Sequence, residues 1–376
     1  MVKLGILGGG QLGRMLLQAA ANYPVETYIL ENDVTAPAAK LCTQFVLGDV
    51  TNYNDVYNFG MLVDAITIEI ENVNIEALEK LETEGKTIVP NTTTLRTIKN
   101  KILQKQYYTH HQIPTAAYVI TTSKNDITTH NTMLPAVHKI AEGGYDGKGV
   151  IMIATIDDLD KAFDAPAILE KKITIKKEIA QIIAVGLDGQ IALYPPVEMV
   201  FDKYLNLLDY QICPANIPDK VLWKVEAIAM TVAKNFNSAG LFAVEMLIDE
   251  NDDVLVNETA PRVHNSGHHT IEAHYSSQFD MLLRIMLRYP LGNPDAILPS
   301  VMVNIIGADN YNGTPVYNGL AEVLKIGDAF VHIYGKQLTK PGRKMGHITI
   351  LSKEKQELLF QANKIKNTLQ VVAAED

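Results

Sequence analysis

Cysteine, excess positive charge and long apolar runs are all scarce or missing in this chain of 376 residues. The two cysteines, Cys42 and Cys213, cannot build a disulfide framework, which is typical of a protein in a reducing compartment. A formal net charge of -10 argues against sequence-independent binding of nucleic acid, because such binding needs a broad basic surface. No apolar run is long enough to cross a bilayer, and glycines interrupt the opening too early for a signal peptide. We therefore expect a cytoplasmic protein with no membrane or nucleic-acid partner.

The beginning of the chain has the pattern of a dinucleotide-binding turn. An apolar run over residues 2–7 precedes the glycine-rich segment Gly8 to Gly13, and the acidic Glu31 follows about 20 residues later. Taken alone, this pattern favours NAD. However, backbone N–H groups at a helix N-terminus attract any phosphate or carboxylate, and the α/β unit that ends near residue 92 is too short for a complete dinucleotide domain.

The most informative segment is 241–269. Two apolar runs, Leu241 to Ile248 and the run from Val254, flank a polar stretch and predict a β-hairpin. If the loop takes roughly six residues, Glu245 lies directly opposite Glu258. Two such carboxylates repel unless a metal or a proton lies between them, and Mg²⁺ suits oxygen ligands of this kind. The alternative is a solvated acidic hairpin. Asn257 would point to the other face of a regular strand, so it contributes only if the strand end is irregular.

The loop after this hairpin carries Arg262, His264 and Asn265. Donors of these types can steady a small oxyanion in an electrostatic cradle. The histidines nearby also suggest zinc, but Pro261 and Ser266-Gly267 interrupt the helix that would place two imidazoles on one face. We therefore favour the oxyanion interpretation.

A second glycine-rich segment, Gly143 to Gly149, has four glycines in seven positions and a lysine, Lys148. Its backbone N–H groups could approach phosphates closely, although no helix-opening Gly-Lys-Ser/Thr follows as in a Walker loop. A flexible hairpin turn is the alternative.

The segment 334–347 is strongly basic in an otherwise acidic protein. Lys336, Lys340, Arg343 and Lys344 precede His347, and Pro341-Gly342 predicts a turn. Arginine suits bidentate phosphate contacts and lysine acts as a point charge. The segment therefore predicts a phosphorylated substrate, with a solvated basic loop as the alternative.

The strings GGGQLGRM, GGYDGKG, NETAPRVHNSGH and PGRKMGH resemble the ATP-grasp ligases, and among them the N5-carboxyaminoimidazole ribonucleotide synthetase family of purine biosynthesis. The resemblance covers essentially the whole chain. It implies a mixed α/β and α+β protein with an ATP-grasp fold: a Rossmann-like domain at 1–92, an ATP-grasp domain at 93–295 with a lid at about 134–178, and a small β-rich domain at 296–376.

The resemblance also implies a reaction and its ligands. The reaction is ATP- and bicarbonate-dependent carboxylation of 5-aminoimidazole ribonucleotide through carboxyphosphate, which the amine attacks directly or after release of CO₂. Mg²⁺, with Mn²⁺ as an alternative, is the implied metal, and a homodimer is the implied assembly. The glycine loop would act as a lid over the intermediate.

Individual residues follow from the same resemblance. The implied ATP contacts are Lys101, Lys139, Gly144, Tyr145, Asp146, Gly147, Lys148, Gly149, Glu170, Lys171, Lys172, Ile173, Glu178, Asn257 and Glu258. The implied metal ligands are Glu245 and Glu258. The implied substrate contacts are Gln11, Leu12, Glu71, Tyr145, Lys336, Arg343 and Lys344, and the bicarbonate or carboxyphosphate contacts are Arg262, His264 and Asn265. The chain departs from the family pattern at Val150 and Phe201, where Gln and His are usual.

Three other functions are consistent with parts of the sequence. A sister ATP-grasp enzyme that transfers formate to glycinamide ribonucleotide would share the fold and the metal ligands. An NAD-dependent oxidoreductase is suggested by the first glycine-rich segment alone. A non-catalytic nucleotide sensor would keep the loops and lose the carboxylates, yet Glu245 and Glu258 are both present.

Overall fold

The computed structural model describes residues 1–144, 149–201 and 208–374. The implied ATP contacts at Tyr145, Asp146, Gly147 and Lys148 lie outside these ranges. Within them, no helix combines the length and the apolar character needed to cross a membrane.

The N-terminal region is a parallel sheet with strand order β3-β2-β1-β4-β5. Its elements are β1 (Val2–Leu7), α1 (Gln11–Ala20), β2 (Val25–Glu31), β3 (Gln44–Leu47), α2 (Tyr53–Met61), β4 (Ala65–Ile68), α3 (Ile75–Thr83) and β5 (Thr87–Val89). The central strands are almost continuously apolar, as expected for strands covered on both faces. Because β1 and β4 are parallel neighbours, the glycine turn after β1 and Glu69 after β4 meet at the same edge.

Three helices and a small antiparallel sheet follow. The elements are α4 (Thr92–Lys99), α5 (Lys101–His110), β6 (Tyr118–Thr121), α6 (Asp126–Thr129), β7 (Ala136–Ile140), β8 (Val150–Ile153) and β9 (Ala167–Lys171), with strand order β6-β9-β7-β8. Helices α4 and α5 are separated at Asn100, which has an extended backbone and whose side chain accepts hydrogen bonds from the N–H groups of Ile102 and Leu103. This cap fixes Lys101 as the first residue of α5.

The central antiparallel sheet carries the predicted hairpin. Its elements and the adjoining helices are β10 (Ile175–Val185), β11 (Ile191–Leu193), β12 (Val197–Phe201), β13 (Leu208–Cys213), α7 (Asp219–Asn235), β14 (Gly240–Asp249), β15 (Val254–Ala260), α8 (Thr270–Ala273) and α9 (Gln278–Met286). Helix α7 buries Val221, Val225, Ala229 and Val232, whose spacing places them on one helical face, in a core shared with β10, β14 and β15. Apolar side chains of α1 and α9 share another core, which joins the N-terminal region to this sheet.

Three of the C-terminal strands extend the same sheet, and two others pair with each other in a separate two-stranded sheet. The elements are β16 (Ser300–Ile306), β17 (Pro315–Asn318), α10 (Leu320–Val323), β18 (Ala329–Ile333), β19 (Lys344–Leu351), α11 (Lys355–Thr368) and β20 (Gln370–Ala373). In the described ranges the strand order is β15-β14-β10-β12-β13-β16-β19-β18. The central sheet therefore contains strands from both sides of the boundary predicted near residue 296. The basic segment leads directly into β19.

Candidate active site

The two glutamates of the hairpin are direct cross-strand partners, as predicted: Glu245 on β14 pairs with Glu258 on β15. The way in which the chain reaches this register differs from the prediction. The loop outside the Ile248–Val254 pair is Asp249 to Asp253, one residue shorter than expected. A β-bulge between Glu245 and Met246 supplies the missing residue on β15.

The extra residue in the bulge is Asn257. In a regular ladder it would face Glu245, whereas here Glu258 occupies that position. Asn257 turns towards the cleft instead, and its Oδ1 accepts a hydrogen bond from Lys139 Nζ at 2.8 Å. The irregular strand end that the sequence analysis required for Asn257 is therefore present.

The two carboxylates have opposite proton affinities. Burial, followed by the charge of Glu258, raises the pKa of Glu245 to about 8. Lys101, whose Nζ lies 3.1 Å from Glu258 Oε2, lowers the pKa of Glu258 to about 2. The raised pKa of Glu245 favours a proton on this carboxyl when no cation is bound. A divalent cation with oxygen ligands would replace that proton, so the donor set fits Mg²⁺.

A second charged cluster lies beside the pair. Glu170 on β9 accepts from Lys139 Nζ at 2.6 Å through one oxygen and from Lys105 Nζ through the other. Lys105 is only 2% exposed. Burial opposes ionisation of Glu170, but the two lysines outweigh it and lower the pKa of this carboxyl. Lys101, Lys105 and Lys139 thus form a positive wall beside the carboxylates, as a polyphosphate would require.

The loop after β15 is held in place by its own neighbours. The Gln278 side chain makes two hydrogen bonds to the backbone of His264. The His264 N–H donates to Gln278 Oε1 at 2.8 Å, and Gln278 Nε2 donates to the His264 carbonyl at 2.8 Å. The imidazole of His264 thereby lies 3.6 Å from Glu245 Oε1. Arg262 pairs with Glu71 at 2.9 Å. The side-chain amide of Asn265 is buried, and neither its N nor its O has a partner in the described ranges, which is a feature of ligand sites.

Gly267 allows this loop to pack closely, and we expect Gly267→Ala to disturb it. An added Cβ would lie 2.3 Å from Ile182 Cδ1 and 2.4 Å from Gln278 Oε1, so the Gln278 clamp must move. We expect about a tenfold or greater loss of kcat and a loss of about 1–3 kcal/mol in unfolding free energy. Steady-state kinetics and urea unfolding measure both. The matched control is Gly327→Ala, where a Cβ would meet nothing within 4 Å; equal effects of the two substitutions would contradict the prediction.

The basic segment lies close to the carboxylate pair. Burial raises the pKa of Glu245, and the positive charge of Lys344 counters part of that rise. Lys336 Nζ donates to the Lys344 carbonyl at 2.7 Å, and the Arg343 guanidinium donates to the Leu338 carbonyl at 2.8 Å. These contacts order the predicted phosphate-binding side chains at the start of β19.

The N-terminal glycine turn is already occupied by carboxylates of the protein itself. Glu69 accepts from the N–H groups of Gly10 and Leu12, the latter at 3.0 Å, and Glu31 accepts from the Gly9 N–H at 2.8 Å. Burial raises the pKa of Glu69. These amides are the groups that a dinucleotide pyrophosphate would use, so the arrangement argues against NAD.

Models of three domains match this chain in sequence order. They are described as the ribonucleotide synthetase preATP-grasp domain at residues 1–99, the ATP-grasp domain at 106–279 and the phosphoribosylaminoimidazole carboxylase C-terminal domain at 300–361. N5-carboxyaminoimidazole ribonucleotide synthase of Bacillus subtilis is 33% identical over 94% of this chain and 92% of its own length. This chain belongs to the N5-carboxyaminoimidazole ribonucleotide synthase family.

Solved structures of this synthase family are similar to the structure of this chain. N5-carboxyaminoimidazole ribonucleotide synthetase from Thermotoga maritima is 34% identical, with a TM-score of 0.92 over 100% of both chains. The Aspergillus clavatus enzyme, solved with ADP and 5-aminoimidazole ribonucleotide, has a TM-score of 0.88 at 31% identity, covering 97% of this chain and 98% of that one. Longer relatives named phosphoribosylaminoimidazole carboxylase also match, and this chain spans 64–70% of their length. The predicted ATP-grasp fold is confirmed.

Some of the residues assigned from the resemblance to the synthase family are in direct contact in the structure. Glu258 contacts Lys101 and faces Glu245 across the strands, and Lys139 contacts both Glu170 and Asn257. Arg262 contacts Glu71, and the His264 imidazole lies beside Glu245. Glu178 lies on β10 beside β14, and burial raises its pKa. Gly144 and Gly149 flank the segment outside the described ranges, and Gln11 and Leu12 open α1. Lys171 and Lys172 are exposed near the end of β9, next to the half-buried Ile173.

The sequence analysis missed Lys105, Glu69 and Gln278. The sequence does contain a signal for Lys105, because this residue follows Lys101 by four positions and so lies on the same helical face. Glu69 directly follows an apolar strand and could have been placed by parallel topology. Gln278 gave no signal, since it acts on the backbone of a loop fourteen residues away along the chain.

Proposed function

We propose that this chain carboxylates 5-aminoimidazole ribonucleotide at its amine, using ATP and bicarbonate, in purine biosynthesis. The opposed pair Glu245 and Glu258, with Lys101 against it and the Arg262–Asn265 loop beside it, is the observation that carries this proposal. The relative from Aspergillus clavatus, solved with ADP and the aminoimidazole nucleotide, supports it.

ATP would lie between the small antiparallel sheet and the central sheet. Lys139 and Lys101 would contact its phosphates and exchange their present acceptors for phosphate oxygens. Glu245 and Glu258 would hold Mg²⁺, which when bound neutralises charge on the transferring phosphoryl group. Glycine loop 143–149 would cover the phosphates and exclude water.

The chemistry comprises two transfers in sequence. A bicarbonate oxygen attacks the γ-phosphorus of ATP, forming carboxyphosphate and releasing ADP. The substrate amine then attacks the carboxyl carbon, or CO₂ released from it, while phosphate leaves and the amine loses a proton. Arg262, His264 and Asn265 would hold the small oxyanion, and the two unpartnered amide atoms of Asn265 would gain partners there.

The deciding assay is ADP formation with bicarbonate, with and without 5-aminoimidazole ribonucleotide. We expect stoichiometric ADP and carboxylated nucleotide when both substrates are present. Replacing bicarbonate with formate, and the substrate with glycinamide ribonucleotide, tests the sister ATP-grasp activity. Turnover only in that second mixture would overturn the proposal.

Lys344 should act mainly in substrate binding. We expect Lys344→Ala to raise the apparent KM for the nucleotide about tenfold, because one charge contact to its phosphate is lost, while kcat changes far less. Initial rates across a range of substrate concentrations measure this. The control is Lys353→Ala, an exposed lysine after β19. A large fall in kcat with unchanged KM would contradict the assignment.

Three further properties belong to the same proposal. We propose Mg²⁺, with Mn²⁺ as a substitute, as the metal, a homodimer as the assembly and the cytoplasm as the location. Sedimentation velocity of the purified chain tests the second of these.

A further inference from the structure

A cluster of metal-ligand side chains lies outside the site described above. Cys213 ends β13, His269 precedes α8, and His274 follows α8. Their exposed fractions are 2%, 2% and 3%. One ligand atom from each side chain lies within 4.8 Å of the other two. We propose that Cys213, His269 and His274 form a buried Zn²⁺ site that ties β13 to the segment following the Arg262–Asn265 loop.

The geometry between the sulfur and one imidazole suits zinc. Cys213 Sγ lies 3.7 Å from His274 Nε2. Zinc bonded tetrahedrally to sulfur and nitrogen places these two atoms about 3.6 Å apart. His274 Nδ1 lies 2.7 Å from the Pro294 carbonyl, which can only accept, so Nδ1 carries the hydrogen and Nε2 presents a lone pair to the sulfur.

An S–H···N hydrogen bond would explain the Cys213 and His274 contact alone, but it leaves His269 unexplained. Gln211 Nε2, 3.0 Å from His269 Nδ1, can only donate, so in the metal-free protein Nδ1 accepts and Nε2 carries the hydrogen, with no partner in the described part of the chain. Metal binding through Nε2 requires the other tautomer, with the hydrogen on Nδ1, and the Ser266 backbone is a hydrogen-bond partner of this ring. A buried ring nitrogen without a partner costs free energy, and a metal bond removes that cost. Ser300 faces Cys213 across the β13–β16 ladder, and its hydroxyl also has no partner among described residues. A water molecule would complete four ligands.

The ligand set determines which metal fits. One thiolate and two imidazoles select zinc over Mg²⁺, which prefers oxygen ligands. Burial lowers the pKa of both histidines, which keeps them in the neutral form that binds metals. Burial also raises the pKa of the Cys213 thiol to about 12 in the metal-free protein. Metal binding therefore breaks the S–H bond, forms the Zn–S bond and releases one proton to solvent.

The test uses the full chain, stripped of metal with a chelator and then titrated with Co²⁺ in excess Mg²⁺. Magnesium keeps the Glu245 and Glu258 carboxylates occupied, and only a thiolate ligand gives the near-ultraviolet sulfur-to-cobalt charge-transfer band. We expect this band to saturate at one equivalent and to disappear when one equivalent of Zn²⁺ is added. Zinc content of the purified chain, measured by mass spectrometry, should approach one equivalent.

Variants decide between this site and adventitious binding. Cys213→Ser and, independently, His269→Asn should lose the band or weaken cobalt affinity at least a hundredfold, whereas Cys42→Ser should leave it unchanged. Circular dichroism identifies any variant that has failed to fold. If Cys213→Ser fails to fold, His269→Asn provides the test instead. Absence of the band in the unsubstituted chain, or its persistence in Cys213→Ser, would overturn the proposal.

Discussion

Glu258→Gln is expected to reduce ADP formation about 1,000-fold, equivalent to about 4 kcal/mol in activation free energy. Glutamine keeps the size of the side chain but removes the negative charge that faces both Lys101 and the proposed metal. Lys101 Nζ, now 3.1 Å from Glu258 Oε2, would lose its charged partner. Glu245 would also lose the negative charge of Glu258, which is the second cause of its raised pKa after its burial. Bicarbonate-dependent ADP release at saturating Mg²⁺ and ATP measures the effect.

A matched substitution lies in the same hairpin. Glu250 is exposed in the loop between β14 and β15, so Glu250→Gln changes net charge equally without touching the cleft. Its rate should equal that of the unsubstituted protein. Full activity of Glu258→Gln at saturating Mg²⁺ would show that the metal assignment is wrong.

Glu170→Gln should have the largest effect on stability. Glu170 is the shared carboxylate of Lys105 and Lys139, whose side chains are 3% and 12% exposed. Removing one partner from a buried ion pair typically costs about 3–5 kcal/mol, because the remaining charge is left uncompensated. We expect about 3 kcal/mol, since Lys105 can release a proton: burial already lowers its pKa. The midpoint of urea unfolding measures the loss.

Two further variants make this test specific. Glu84→Gln removes an exposed carboxylate that pairs with Lys80 on the protein surface, and it should not shift the urea midpoint measurably. Combining Glu170→Gln with Lys105→Met removes the more deeply buried of the two lysine charges that lose their carboxylate partner, and it should recover more than half of the lost stability. No recovery in this double variant would mean that the stability depends on something other than charge.

The sequence predicted the hairpin of β14 and β15 well because its information is local. Two apolar runs and a polar tip specify two strands, and Glu245 and Glu258 lie within this one unit. The fold was predicted for a different reason: the strings NETAPRVHNSGH and PGRKMGH are specific to one family, whereas the glycine loops alone are not. Lys101 and Lys139 had no such local signal, and only the resemblance connected them with ATP.

The parts that sequence reasoning missed depend on distant packing. Glu69 reaches the glycine turn because β1 and β4 are parallel neighbours, a relation that no short segment contains. The first glycine pattern therefore suggested a phosphate site where the protein supplies its own carboxylates. The Cys213, His269 and His274 cluster likewise forms only when β13 and the segment around α8 meet, and the order of these residues along the chain gave no indication of it.

The β-bulge at Asn257 separates two requirements that a regular strand would force into conflict. Side chains of consecutive residues normally leave a strand on opposite faces, so a strand can offer the cleft only every second residue. By inserting one residue, β15 presents Asn257 to Lys139 and Glu258 to Glu245 at nearly the same level. Changes in hairpin length should therefore be tolerated at the tip, Asp249 to Asp253, during divergence of related chains. Along β15 itself, a single insertion or deletion between Val254 and Val256 would shift the register of both contacts together.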